Sequence, residues 1–194
     1  MKFAMRFARV FSLSALILIS GAATAPAQET AAPKNPSEIV TTHSFVSLDS
    51  VPRGKEFQAA IVVKISTGYH MNSHKPSDSY LIPTTLTPEL PTGFKLVEAV
   101  YPAGRDEKFP FSPDKPLNVY SGSVTLRLRL TAEDTAALGA ATIPVTLRFQ
   151  ACNLSACLPP VKVPVKLQLQ VVAAGAASHP THPEIFSAKP SSKS

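Results

Sequence analysis

The feature that most constrains this chain is an alternation of apolar and polar residues with period two, repeated in four long segments. In "EFQAAIVVKIS", Phe57, Ala59, Ile61, Val63 and Ile65 fall on one face and Gln58, Lys64 and Ser66 on the other. "SVTLRLRLT" sets Val124, Leu126, Leu128 and Leu130 against Thr125, Arg127 and Arg129. "TIPVTLRFQ" turns Ile143, Val145, Leu147 and Phe149 inward, and "VKVPVKLQLQVV" does the same with Val161, Val163, Val165, Leu167, Leu169 and Val171. Successive side chains of an extended chain point to opposite faces, so each segment predicts a strand with one wet face. Weaker candidates run from Ile39 to Leu48, Tyr80 to Thr87 and Phe94 to Pro102.

Seven or so strands, separated by turn signals such as Pro52-Arg53-Gly54, Pro91-Thr92-Gly93 and Ser121-Gly122, predict an all-β fold. The expected architecture is a single-domain antiparallel β-sandwich, immunoglobulin-like in its layering. Without tryptophan or widely spaced cysteines, the antibody-type signature is missing. Only Ala132 to Gly139 reads as a helical turn, ended by its glycine. Pro144 and Pro164 cannot donate to a ladder, which argues for edge positions.

The first residues carry a different message. Lys2, Arg6 and Arg9 precede an apolar stretch from Val10 to Ile19 and small residues ending at Ala25-Pro26-Ala27, the three-part layout of a secretory signal peptide. The apolar core is too short to span a bilayer, so residues 1–27 are expected to be removed and the product to be exported, soluble and not stably inserted in a membrane. Residues 28–37 read as a disordered linker, 38–172 as the sandwich and 173–194 as a disordered tail, because both flanks are polar or rich in Ala, Ser and Pro. The formal charge of +6 includes those three basic residues; without them 16 Lys+Arg of the 19 face 13 Asp+Glu. No basic stripe interleaved with aromatics remains, and nucleic-acid binding is not expected.

Both cysteines lie in "FQACNLSACLPP", with Asn153, Leu154, Ser155 and Ala156 between Cys152 and Cys157. Two cysteines flanking a four-residue connection can face each other across a hairpin neck at the ~5.5 Å Cα separation a disulfide prefers. As a staple such a bridge is weak: closing about six residues is worth ~2 kcal/mol, against ~4 to 5 kcal/mol for a bridge between distant strands. Redox exchange needs an attacking thiolate, a resolving thiol close by, and exposure of at least one sulfur. A loop stiffened by Pro159 and Pro160 supplies these. The sequon Asn153-Leu154-Ser155 is read as coincidental, since a glycan there would block exchange.

A third reading of the cysteine region draws in "GYHMNSH", where His70, Met71 and His74 follow a strand and offer ligands that suit copper. The competing view leaves His70 and His74 as exposed loop residues, and His179 and His182 as tail polarity. There is no G-x-S-x-G, H-E-x-x-H, glycine-rich phosphate loop or CxxC. Redox relay, copper module and non-catalytic interaction sandwich with a structural disulfide thus stand side by side.

The succession "GYHMNSHKPSDSYLIPTTL", "YPAGRDEKFPF", "NVYSG" and "FQACNLSACLPP" resembles the N-terminal, periplasmic domain of the DsbD thiol:disulfide interchange protein family. The resemblance implies an immunoglobulin-like sandwich acting in the periplasm without a cofactor, as a component of a protein-disulfide reductase relay. Its two cysteines would take electrons from a membrane electron carrier of the DsbD type and pass them, through transient mixed disulfides, to thioredoxin-like periplasmic proteins, including cytochrome c maturation factors. Carried onto this chain, Cys157 would form the mixed disulfides and Cys152 would resolve them. The family's cap loop matches Tyr101 to Phe111, with Phe109 or Phe111 as the aromatic cover. Asp106, Glu107 and Tyr69 match positions that tune the cysteines. The family's cysteine loop has one residue more, and a tyrosine-rich strand becomes "GYHMN". Full-length members continue into a membrane carrier and a thioredoxin-like domain, which here are expected to be separate polypeptides.

Overall fold

The computed structural model describes residues 35–187 and the backbone of 192–193, all within one unit spanning Lys34–Ser194. The expected signal peptide and all but the end of the linker lie outside the described residues.

In chain order the strands are β1 (Val40–Val46), β2 (Val51–Pro52), β3 (Lys55–Ile65), β4 (His70–Asn72), β5 (Thr85–Pro88), β6 (Phe94–Val100), β7 (Arg105–Phe109), β8 (Ser112–Ser121), β9 (Ser123–Ala132), β10 (Gly139–Phe149), β11 (Ala151–Cys152), β12 (Val161–Val172) and β13 (Ser192–Lys193). The four period-two segments are β3, β9, β10 and β12, and their apolar faces point inward as the alternation requires. One sheet runs β1-β3-β9, with β6 and β13 both on the far edge of β9. The second runs β2-β12-β10-β5 and is antiparallel except for β2. Ile61, Val63, Leu126, Leu128 and Leu130 of the first sheet share one buried cluster with Ile143, Val145, Leu147, Val165 and Leu167 of the second. The architecture is the expected antiparallel β-sandwich.

Each branched aliphatic side chain withdrawn into that layer contributes about 1.5–3 kcal/mol, so burying one of them matches the ~2 kcal/mol that a six-residue cross-link supplies. β10 and β12 pair over eleven residues, from Gly139 opposite Val171 to Phe149 opposite Val161, and the cysteine loop is an excursion from the end of this hairpin.

A third, smaller sheet, β11-β4-β8-β7, stands at that end. β4, β7 and β8 have no counterpart among the strands expected from the alternation. One face of this sheet sends Met71 and Tyr120 into the main core. The other carries a separate small cluster of Leu81, Phe109, Leu117 and Val119. Both faces are covered along β4 and the Leu117–Tyr120 end of β8, while β7 is mostly exposed, and the alternation of wet and dry that marks the other strands is lost.

Three expectations need correction. Ala132 to Gly139 forms no helix: Ala136 N–H closes a single turn on Glu133 O at 3.0 Å, and Gly139, at φ 104°, already opens β10. Pro144 is not on an edge strand, because β10 has β12 on one side and β5 on the other; it is accommodated where pairing with β5 stops, at Val145. Pro164 does face an open side, since β2 covers only Val171 and Val172 of β12.

The third correction concerns the tail. Residues 173–187 are placed: they meet the end of β1 and then reach β3 and β9. Thr181 N–H donates to Ser47 O at 2.9 Å and Thr181 Oγ1–H to Val46 O at 2.7 Å. His179 accepts from Asp49 N–H through its carbonyl at 3.1 Å, and its ring Nδ1 lies 3.0 Å from Asp49 Oδ2. His182 meets Phe45 edge-on at 4.9 Å, and the Ile185 carbonyl accepts from the Arg127 guanidinium. A sheet edge offers unpaired backbone groups, and here the tail satisfies them. His179 and His182 are thus part of a docked segment.

Candidate functional site

The site is built from the excursion that leaves β10 after Phe149. Gln150 anchors it: its Oε1 accepts from Asn72 Nδ2–H at 3.0 Å and Ile82 N–H at 3.1 Å, and its Nε2–H donates to Leu158 O at 3.3 Å. Ala151 and Cys152 then pair with Met71 and His70 as β11. Asn153 turns the chain by accepting from the N–H groups of Ser155 at 2.8 Å and Ala156 at 3.0 Å, an Asx-type turn. Asn153 N–H to Ala156 O, 3.0 Å, and Leu158 N–H to Ala151 O, 2.8 Å, close the neck. Cys152 and Cys157 face each other there as an antiparallel bridge and are joined in a disulfide, with Cα atoms 3.9 Å apart.

The two sulfurs are not equivalent. Cys152 is fully buried, whereas Cys157 is only half-buried. Cys157 lines a cleft of about 250 Å³ with Tyr80, Leu81, Phe111, Ser112, Leu117 and Gln150. Tyr80 and Leu154 are among the most exposed large apolar side chains of the described residues, at 73% and 63%.

Strand register fixes what surrounds the buried cysteine. Directly paired residues project from the same face of a sheet. Cys152 pairs with His70, and His70 on its other side pairs with Ser121. Ser121 Oγ–H donates to Glu107 Oε1 at 3.0 Å. Cys152, His70 and Ser121 therefore form a row across β11, β4 and β8, and Glu107, opposite Leu117 in register, joins it through its side-chain hydrogen bond to Ser121. Phe109 closes over this row: its ring stacks on His70 with centroids 3.9 Å apart and planes 19° from parallel. Phe111 stacks in turn on Phe109 at 5.5 Å. Burial holds the His70 imidazole near a pKa of about 4, well below the usual histidine value, so it is neutral around pH 7.

β7 and β8 form a hairpin whose tip, Phe109 to Ser112, carries both phenylalanines. Its base is held where Tyr120 Oη–H donates to Pro102 O at 2.9 Å and accepts from His74 N–H at 3.2 Å. Gly104 is required at this base, since a Cβ there would lie 2.1 Å from Asn118 Oδ1 and 2.7 Å from Ser73 Cβ.

Of the residues singled out in the sequence, Cys152, Cys157, Phe109, Phe111 and Glu107 come together. Asp106 points to the other face and accepts from Asn118 Nδ2–H at 2.7 Å. Tyr69 is half-buried against the main core. Tyr101, at the start of the expected cap, is a fixed support: it stacks on His74 at 3.7 Å and its hydroxyl accepts from Leu86 N–H at 2.8 Å. His70, Met71 and His74 do not converge as a ligand set would. His70 lies beside Cys152, Met71 enters the main core, and His74 Nδ1 sits 3.0 Å from Thr84 O. His70 is buried in a strand, which corrects the view of it as an exposed loop residue. No group of three or more His, Cys, Asp or Glu among the described residues is placed to hold a metal ion. Gln150, Asn153 and Ser121 escaped the sequence reading. Asn153 and Gln150 flank the cysteines in sequence and carry side chains able to brace a turn, the signal that was there to be used.

Among the described residues no helix is long and apolar enough to cross a membrane. No curated protein matches the chain. Among solved structures the N-terminal periplasmic domain of ScsB from Proteus mirabilis is similar, at 11% identity and a TM-score of 0.42, over 66% of this chain and 46% of that one. The chain thus spans less than half the length of that neighbour. The family model described as "Thiol:disulfide interchange protein DsbD, N-terminal" matches residues 37–169, nearly the whole sandwich with its cysteine loop. The chain belongs to this family of DsbD N-terminal domains.

Proposed function

We propose that this domain is a periplasmic electron relay that works by opening and closing the Cys152–Cys157 disulfide. Its reductant would be a membrane-embedded carrier of the DsbD type, and its acceptors exported thioredoxin-like proteins, among them those serving cytochrome c maturation. The observation that carries the reading is the asymmetry of the two sulfurs: Cys157 opens onto a cleft while Cys152 is sealed. An incoming thiolate attacks Cys157 Sγ, the disulfide breaks, and its electron pair leaves on Cys152. A second thiol of the donor then attacks the mixed disulfide, frees Cys157 and leaves the donor oxidised. Passage to an acceptor runs these steps in reverse, with Cys152 as the resolving thiol.

The hairpin tip fits the role of cap. Phe109 seals the buried half of the site, and Phe111, 39% exposed, borders the cleft beside Cys157. A partner that moves Phe111 gains access to the sulfur without opening the cluster under Phe109. What supports a tuning role for Glu107 rather than Asp106 is that Glu107 lies on the cysteine face, whereas Asp106 is turned away to Asn118.

Trapping tests the assignment. Cys152→Ala should accumulate a mixed disulfide through Cys157 with a thioredoxin-like partner. Trapping only by Cys157→Ala would reverse the roles, and trapping by neither would leave the disulfide as a structural clip.

A further inference from the structure

The row of side chains beside the disulfide contains one polar atom with no task in the fold. His70 is 4% exposed, and its Nε2 makes no hydrogen bond. An unsatisfied buried polar atom is destabilising, a cost that phenylalanine at the same position under Phe109 would not carry. The position is also the one directly paired with Cys152, which puts the two Cβ atoms about 4.5–5.5 Å apart on the same face.

Cys152 has its own difficulty. A buried thiol is held in its neutral form, yet resolution of a mixed disulfide needs the thiolate. Water cannot serve it freely, because the sulfur's residue is fully buried and Phe109 covers the neighbouring ring. The titratable groups on the packed elements are few. β11 supplies Cys152 itself, β8 the uncharged Ser121 at this end with Asp114 and Lys115, the latter paired with Asp78, at its far end, and β7 Glu107, which is engaged by Ser121, with Arg105 exposed on the same face.

We propose that His70 Nε2 is the proton acceptor for Cys152. With a partner joined to Cys157, the Cys152 S–H proton passes to Nε2. The thiolate attacks Cys157 Sγ, the intramolecular disulfide forms, and the partner leaves as a thiolate. The imidazolium then releases its proton to solvent or to the departing sulfur. In the reductive direction the electron pair arrives on Cys152, and a proton taken up from solvent reaches the thiolate through His70 Nε2. This inference rests on the exchange reading above, and deepens it.

The test uses glutathione, so that it needs no protein partner. Reduced domain is mixed with oxidised glutathione, and the decay of the Cys157–glutathione adduct is followed by rapid acid quench and mass spectrometry from pH 5.5 to 9. His70→Phe should slow that decay about a hundredfold at pH 7, the low end of what general base catalysis provides, and give it a rate that climbs with pH. The adduct should form at an unchanged rate in a Cys152→Ala background. Decay within twofold of the wild type, with the same pH profile, would overturn the proposal. Should His70→Phe lose its native near-ultraviolet spectrum, the His70 ring is titrated by NMR in the wild type. A higher pKa in the dithiol than in the disulfide form supports the proposal, and equal values overturn it. A domain that shows the His70 effect with glutathione but exchanges with no thioredoxin-like protein would sink the relay reading alone.

Discussion

Phe109 lies flat on His70, with ring centroids 3.9 Å apart, and His70 is the residue paired with Cys152. Through this contact the hairpin between β7 and β8 is anchored to β4, the strand that pairs with the Cys152-bearing β11. The tip is therefore divided into a buried part and a more exposed one. Phe109 belongs to a buried cluster, while Phe111 rests on it at the edge of the cleft.

That division predicts opposite outcomes for the two phenylalanines. Phe111→Ala should lower stability by less than ~1 kcal/mol, as for most half-exposed positions, and speed reduction of the disulfide by a small thiol severalfold. Phe109→Ala should cost about 3–5 kcal/mol, the usual loss for a buried phenylalanine. Denaturant unfolding and the rate of reduction by dithiothreitol measure both. Equal effects of the two variants would contradict the division.

His70 should also leave a mark on acid stability. Its folded pKa is lowered from 6.5 to about 4 by burial, so between those values the unfolded chain binds a proton that the native protein does not. Stability therefore falls as pH drops from 6.5 towards 4, by up to roughly 3 kcal/mol, and is unaffected by this group above 6.5. His70→Phe should flatten that limb. Urea unfolding of the oxidised protein at pH 4.5 and 7.5 provides the comparison.

Asn153 holds the cysteine loop in shape through two backbone hydrogen bonds. Asn153→Ala should cost about 1–2 kcal/mol. It should also weaken the disulfide, because the two thiols would no longer be held close. The equilibrium with glutathione should shift towards the dithiol, and an unchanged equilibrium would mean that the loop needs no side-chain brace.

The docked tail depends on Asp49. Hydrogen bonds from His179, first its backbone N–H at 3.0 Å, lower the Asp49 pKa from 3.8 to about 2. A carboxylate lowered in this way stabilises the native state above pH 3.8, and that contribution is lost as pH falls through 2. Asp49→Asn should loosen the segment, seen as faster hydrogen exchange at the Thr181 amide. The sandwich amides of β3 and β9 should not change.

The sequence made the sandwich legible because β3, β9, β10 and β12 each keep one face in water and one in the core. It hid the sheet that carries the site. β8 buries Tyr120 on one face and Leu117 and Val119 on the other, and all three residues of β4 are buried, so no period marks them. The tail from Ala173 was misread for a related reason: it docks through backbone groups of Pro180 and Thr181 and through His179, which need no run of apolar residues. Within the site the cysteine pair and the two phenylalanines were readable from residue type and resemblance. The position of His70 beside Cys152 was not, because strand register between β4 and β11 depends on contacts about eighty residues apart in sequence.

The central claim is that the disulfide exists to be exchanged. Its reduction potential, measured against glutathione together with exchange to a thioredoxin-like donor, tests this most directly. The relay account predicts a potential above about −300 mV and rapid exchange. A potential below about −300 mV with no exchange would show a structural disulfide and contradict it.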